Sequence, residues 1–166
     1  MITEQNNDLL NDSWTLYFKD PNDRSSWDIQ SFYELASIST IQEYKIIWET
    51  IKDKLLCGMF FVFREHIPPV YEDEKNQNGM TISMKFPFHQ LHDVFNYFIY
   101  RMLGETLVNT DNPIDNEDIN GLQFVPKKKQ GFVIKLWIKN KQLSDPEKLN
   151  LRKDMKDAIF KYDNLG

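Results

Sequence analysis

Tyr71 and Glu72, in the run Val70-Tyr71-Glu72-Asp73-Glu74-Lys75-Asn76, place an aromatic ring directly beside a carboxylate. The run follows the turn-forming pair Pro68-Pro69, so ring and acid are presented on a loop. An aromatic platform with an adjacent acid can hold a flat, cationic, donor-rich ring. Stacking on a side chain contributes ~1–3 kcal/mol per base, and a positive charge on the stacked ring adds ~2 kcal/mol when desolvated. A carboxylate accepts two N–H donors side by side, and the Watson–Crick edge of guanine offers such a pair. The opposing reading of Glu72-Asp73-Glu74 is a solvated acidic turn, which is what most such runs are.

Two tryptophans in polar settings extend the idea. Trp27, between Ser26 and Asp28 at the end of a polar turn, either faces Tyr71 across a base or plugs one end of a sheet. Trp137 stands out by strand parity. Phe132, Ile134, Leu136 and Ile138 share one face of a strand, while Val133, Lys135, Trp137 and Lys139 share the other. The apolar face should meet helices, which leaves the indole exposed among lysines. Lys127-Lys128-Lys129 leads into that strand, and with Lys135 it could meet a short phosphate chain attached to the base. A solubilising loop is the alternative, and for Lys128 the better one.

Other chemistry lacks support. His89 and His92 are three apart with no third ligand in view, and His66 stands alone. There is no phosphate-cradling glycine loop and no nucleophile elbow. Cys57, the single cysteine, excludes an internal disulfide and sits beside Leu55, Leu56 and Met59 as a buried thiol would. No metal, no cofactor and no catalytic residue is expected. The net charge of −5 excludes generic binding to a nucleic-acid backbone, so any polyanion must meet a local basic patch.

The elements that must position these residues are legible from periodicity. A chain of 166 residues with 41% hydrophobic and 27% charged residues fits one domain. Residues 1–12 read as a flexible tail and 13–166 as the domain. Trp14, Leu16 and Phe18 alternate with polar neighbours as a strand does, and a second short strand is expected around Ile29–Leu35. Thr40-Ile41-Gln42-Glu43 is a capping box opening a helix that Gly58 would end. Tyr44, Trp48, Ile51 and Leu55 fall on its apolar face. Met59–Phe63 and Met80–Phe86 read as strands, and Phe88–Met102 as a second amphipathic helix closed by Gly104. A loop over Asn109–Asn120 and strands near Leu122–Val125 and Phe132–Lys139 follow. Ser144-Asp145-Pro146-Glu147 should open a last helix. The fold class is α+β: a curved antiparallel sheet with about three helices packed on its convex face. No leader and no apolar run of membrane-spanning length is present.

Taken in order, Trp14-Thr15-Leu16-Tyr17-Phe18, Trp27, Pro69 to Asn76, Leu103-Gly104-Glu105 and Ile134-Lys135-Leu136-Trp137 resemble a divergent member of the eukaryotic translation initiation factor 4E family, the messenger-RNA cap-binding proteins. The resemblance implies that 7-methylguanine stacks between Trp27 and Tyr71 while Glu72 accepts its N1 and N2 hydrogens. It implies that Trp137 meets the N7-methyl group and that Lys127, Lys129 and Lys135 meet the cap phosphates. It further implies a protein partner, a scaffold or repressor helix of the 4G or 4E-binding-protein type. That helix would lie on a surface containing Lys45, Asn96 and Tyr100. The expected location is the cytoplasm, with the nucleus as a second compartment.

This sequence departs from the pattern at several points. Tyr71 replaces a tryptophan, Thr81 and Val133 replace basic residues, and Lys45 replaces the partner-binding tryptophan. The further strand that the family adds after its last helix is not expected here. The alternatives to cap binding are a protein-interaction module or translational repressor of the same fold with weak or lost cap affinity, and a metal-dependent nucleotide hydrolase built on Glu72-Asp73-Glu74.

Overall fold

In a computed structural model the described residues are 9–23 and 27–165. They form a curved seven-stranded sheet in the order β2-β1-β3-β5-β6-β4-β7, with every neighbouring pair antiparallel. The strands are β1 (Leu9–Lys19), β2 (Tyr33–Thr40), β3 (Met59–Arg64), β4 (Met80–Phe86), β5 (Ile119–Lys127), β6 (Gly131–Ile138) and β7 (Ile159–Asn164). Helices α1 (Ile41–Ile51), α2 (Leu91–Leu103) and α3 (Lys153–Asp157) cover the convex face. The α+β class expected from periodicity is the one observed.

Strand parity builds two cores. Trp14 and Leu16 of β1, with Phe132, Ile134, Leu136 and Ile138 of β6, point to the helices. They meet Tyr44 and Ile51 of α1, Val94, Phe95, Phe98 and Met102 of α2, and Met155 of α3. Trp48 stacks on Phe95 at 5.6 Å, as its place on the apolar stripe of α1 requires. On the other face Tyr17, Phe32, Phe61, Phe63, Ile67 and Trp137 form a smaller aromatic cluster. Trp137 thus lies on the expected face but is 7% exposed, which corrects its reading as an open indole. Phe63 covers it edge-on at 5.1 Å, a contact between strands that parity within β6 cannot reveal.

Several boundaries differ from expectation, each for a tertiary reason. Residues 1–8 and 24–26 lie outside the described residues, so most of the expected tail and half of the polar turn do too. Leu9–Asp12 are not tail but the start of β1, where the Asp12 carboxylate pairs with Arg64 at 3.1 Å. The strand expected near Ile29 begins at Tyr33, after a short 3-10 turn over Ile29–Ser31. Helix α1 stops at Ile51, and a separate 3-10 turn, Leu55–Cys57, buries Leu55 while leaving Leu56 and Cys57 exposed. The thiol expected to be buried is therefore at the surface.

The box at Ser144–Glu147 opens only a 3-10 turn over Pro146–Lys148, with Asp145 Oδ1 accepting from the Glu147 amide at 3.0 Å. Leu149 then turns extended to bridge Val108, and the Asn150 amide donates to the Leu107 carbonyl at 2.7 Å. Those long-range bonds stop the helix, which restarts at Lys153 as α3. After it comes β7 on the edge of β4, the strand that was not expected.

Local chemistry explains the parts that periodicity placed well. Thr40 Oγ1 accepts from the Glu43 amide at 3.1 Å and donates to the Glu43 carboxylate at 3.1 Å, closing the capping box of α1. Thr40→Ala is expected to cost ~1 kcal/mol, read as a lower urea midpoint with an unchanged slope. Lys129 at φ 59° and Gly131 at φ 106° turn β5 into β6. A Cβ on Gly131 would stand 2.0 Å from the Phe86 carbonyl oxygen, so only glycine fits there.

Candidate functional site

On the face away from the helices, the β1–β2 and β3–β4 connections bound a cleft of about 220 Å³. Trp27, Tyr71, Trp137, Thr81, Gln123 and Lys135 are among its lining residues. The structure thus brings together three of the four base-contacting candidates and one of the three phosphate candidates. Trp27 and Tyr71 are 50% and 51% exposed, so ring surface on both loops is open to a ligand. Trp137 lies deeper, its indole N–H donating to Gln123 Oε1 at 3.2 Å. That bond fixes the indole and satisfies its donor, so the ring offers the cleft contact area rather than a hydrogen bond.

The loop carrying Tyr71 and Glu72 is held by Asn76, which is fully buried. Its Nδ2 donates to the carbonyls of Pro68 at 3.0 Å and Val70 at 2.8 Å, and its Oδ1 accepts from Asn120 Nδ2 at 2.9 Å. Asp73 Oδ1 accepts from the Lys75 amide at 2.9 Å, so one member of the acidic triplet is a turn residue. Glu72 is exposed beside Tyr71 and is not among the lining residues, and its backbone carbonyl accepts from Gln77 Nε2. Among the described residues no cluster of three His, Cys, Asp or Glu side chains could hold a metal.

Lys135 is half-buried in the cleft. Burial, and then repulsion from Lys127, hold its ammonium below the usual lysine range, while Asp163 pulls it back up. Lys127 and Lys129 are exposed at the β5–β6 turn and do not line the cleft. Thr81 and Val133 are 4% and 1% exposed, so neither departure from the basic pattern leaves an open surface position.

Sequence reasoning missed other residues of this site. Gln123 lies on β5, which begins at Ile119 rather than Leu122, and a polar residue alternating with Leu122 and Phe124 was its only signal. Asp163 and Leu165 line the cleft from β7 and the residue after it, which no periodicity announced. Lys19 ends β1 on this same face. It is fully buried, its ammonium 4.8 Å from the centroid of Trp27.

The expected partner surface lies on the helix side. Tyr100 and Asn96 line a groove of about 680 Å³ on α2 with His92, Asp93, Tyr97, Arg101 and Thr106. Asn96 Oδ1 accepts from the Tyr44 hydroxyl at 2.7 Å, and Tyr100 meets Tyr44 edge-on at 5.3 Å. Burial first, then Tyr100, push the Tyr44 hydroxyl above its ordinary range, so it remains a donor. Lys45 is exposed on α1 but does not line this groove.

Comparison with known proteins places the chain. The family model described as eukaryotic initiation factor 4E matches residues 9–165. The eukaryotic translation initiation factor 4E homolog of Acanthamoeba polyphaga mimivirus is 29% identical over 134 residues, covering 68% of this chain and 48% of that protein. The factor 4E of Eremothecium gossypii is 28% identical over 138 residues, covering 79% of this chain and 62% of its own length. The chain therefore spans about half to two thirds of these relatives.

Among solved structures, Schistosome eIF4E complexed with m7GpppG and 4E-BP superposes with TM-score 0.72 at 19% identity, covering 88% of this chain and 85% of that one. C. elegans eIF4E-3 with the 4E-binding protein Mextli and cap analog gives 0.71 at 17% identity, covering 89% and 88%. These share the fold. With the match running from the first strand to the last, the chain belongs to the eukaryotic initiation factor 4E family.

Proposed function

We propose that the chain binds the 7-methylguanosine 5′ cap of messenger RNA in translation initiation or its regulation, by recognition rather than catalysis. One observation carries the reading: Trp27, Tyr71, Trp137 and Lys135, from four separate segments, line one cleft. The methylated base stacks between Trp27 and Tyr71, Glu72 reads its N1 and N2 hydrogens, and Trp137 meets the N7-methyl group. Lys135 takes the nearest phosphate, with Lys127 and Lys129 further along the chain of phosphates. A structural neighbour described as complexed with m7GpppG and 4E-BP supports both cap and partner. The partner is a scaffold or repressor helix, seated on the groove of Asn96 and Tyr100 and reaching Lys45 on α1. The work is cytoplasmic, with the nucleus as a second compartment.

Titration of tryptophan fluorescence with 7-methyl-GTP, GTP and ATP tests this. Saturable quenching by 7-methyl-GTP at lower concentration than GTP, with ATP weaker still, is expected. A second reading, an interaction module of the same fold with little cap affinity, is favoured by the buried Thr81 and Val133 where basic residues would stand. Absence of quenching by any of the three would leave that reading in place.

Lys135→Met separates the phosphate arm from the base. Removing one charge-assisted contact should weaken 7-methyl-GTP about tenfold, ~1.4 kcal/mol, and leave the phosphate-free 7-methylguanosine unaffected. The same substitution should raise stability. Because the native pKa lies below the ordinary 10.5, the unfolded chain holds the proton more tightly. The penalty is full at neutral pH and fades as pH rises through that alkaline interval. Urea unfolding at pH 7 of variant and wild type reads the gain.

A further inference from the structure

We propose that Lys19 sets the ligand specificity of the cleft: its buried ammonium, seated on Trp27, lowers the preference of that ring for a positively charged base over a neutral one. This rests on the reading of the cleft as a base-stacking site. Lys19 lies on the cleft side of β1 by parity with Thr15 and Tyr17, yet it is 0% exposed and does not line the cleft. Its Nζ is 4.8 Å from the centroid of Trp27 and 5.5 Å from that of Phe32, and it donates to Ser31 Oγ at 3.1 Å. Ser31 Oγ in turn donates to the Asp28 carbonyl at 2.8 Å, which ties the lysine to the turn that follows Trp27.

A cation so fully covered, over a ring that is itself half exposed, occupies the protein side of that ring. The opposite face remains for a base. The attraction between a cation and an aromatic face comes from the ring quadrupole. A second cation on the other face shares that quadrupole and is repelled by the first across the ring, with little water between to screen it. Stacking of a neutral purine depends on dispersion and area, and it loses nothing. Lys19 therefore taxes the methylated, cationic base and spares unmethylated guanine, so it narrows the ratio of their affinities.

The test is the ratio of dissociation constants for GTP and 7-methyl-GTP, read by tryptophan fluorescence. Lys19→Met keeps the stem and removes the charge, Lys19→Gln keeps a donor for Ser31, and Lys19→Arg keeps the charge. The two neutral variants should widen the ratio at least ~3-fold, a fraction of the ~30-fold that a full cation–π contact supplies. GTP affinity should stay within about twofold, and Lys19→Arg should keep the wild-type ratio. Measurable binding with an unchanged ratio in both neutral variants overturns the assignment of Lys19 alone. Failure of wild type to bind either nucleotide overturns the base-stacking reading with it. Should neither neutral variant fold, the wild-type ratio decides: a preference well above ~30-fold refutes the tax.

Discussion

Arg64→Met is expected to lower stability by ~3–5 kcal/mol, the usual consequence of removing one partner from a buried charge network. The guanidinium is 3% exposed and forks onto Glu105, at 2.6 Å and 2.9 Å, while reaching Asp12 at 3.1 Å. Its remaining donors go to the carbonyls of Ile119 and Asn116, both at 2.8 Å, and its plane lies 4.4 Å from the centroid of Trp14. Burial works against this charge, yet the hydrogen bonds and field of Glu105 and Asp12 more than offset it and raise its pKa.

Methionine would fill the space and leave two carboxylates and two carbonyls without their donor. Glu105 would lose most, because it sits at φ 55°, a left-handed conformation that a non-glycine residue adopts at a cost. Urea unfolding followed by near-ultraviolet circular dichroism reads the loss. Arg64→Lys should recover little of it, since an ammonium cannot fork onto a carboxylate and reach two carbonyls. A midpoint unchanged in Arg64→Met would mean that the network is incidental to the fold.

Trp27→Ala is expected to weaken 7-methyl-GTP at least ~30-fold, from the loss of ~1–3 kcal/mol of stacking together with the cation–π contribution that Lys19 leaves. The thermal midpoint should change little, because the ring is half exposed and touches the smaller cluster only through Phe32, at 6.5 Å. That contrast with Arg64→Met separates a binding residue from a structural one. Tyr71→Trp supplies the converse. A larger ring at the same loop position should tighten 7-methyl-GTP several-fold without touching Asn76, whose bonds to Pro68 and Val70 hold the loop. Equal affinity of wild type and Trp27→Ala would remove the cleft from consideration.

Whatever depends on neighbours along the chain was open to reading in the residues. The capping box at Thr40, the apolar stripes of α1 and α2, and the alternation of β4 and β6 are local patterns, and the structure keeps them. The pairing of Tyr71 with Glu72 and the parity that puts Trp137 and Lys135 on one strand face belong to the same class. Periodicity even placed Trp137 on the correct side of the sheet.

What tertiary structure alone decided is what lies across from each residue. Phe63, on a strand two places away in the sheet, turned Trp137 from an open platform into a packed floor. Asn150 and Leu149 gave up a helix whose capping signals were present, because bonds to Leu107 and Val108 satisfied their backbone elsewhere. Strand β7 closed the cleft with Asp163 and Leu165, although its own residues carry no strand alternation strong enough to announce it. Lys19 and Trp27 are eight positions apart with no helical or strand spacing to join them, and only the folded chain sets one upon the other. A sequence records the side chains available to a site; which faces they cover, and what charge they bring to it, is settled when distant segments pack.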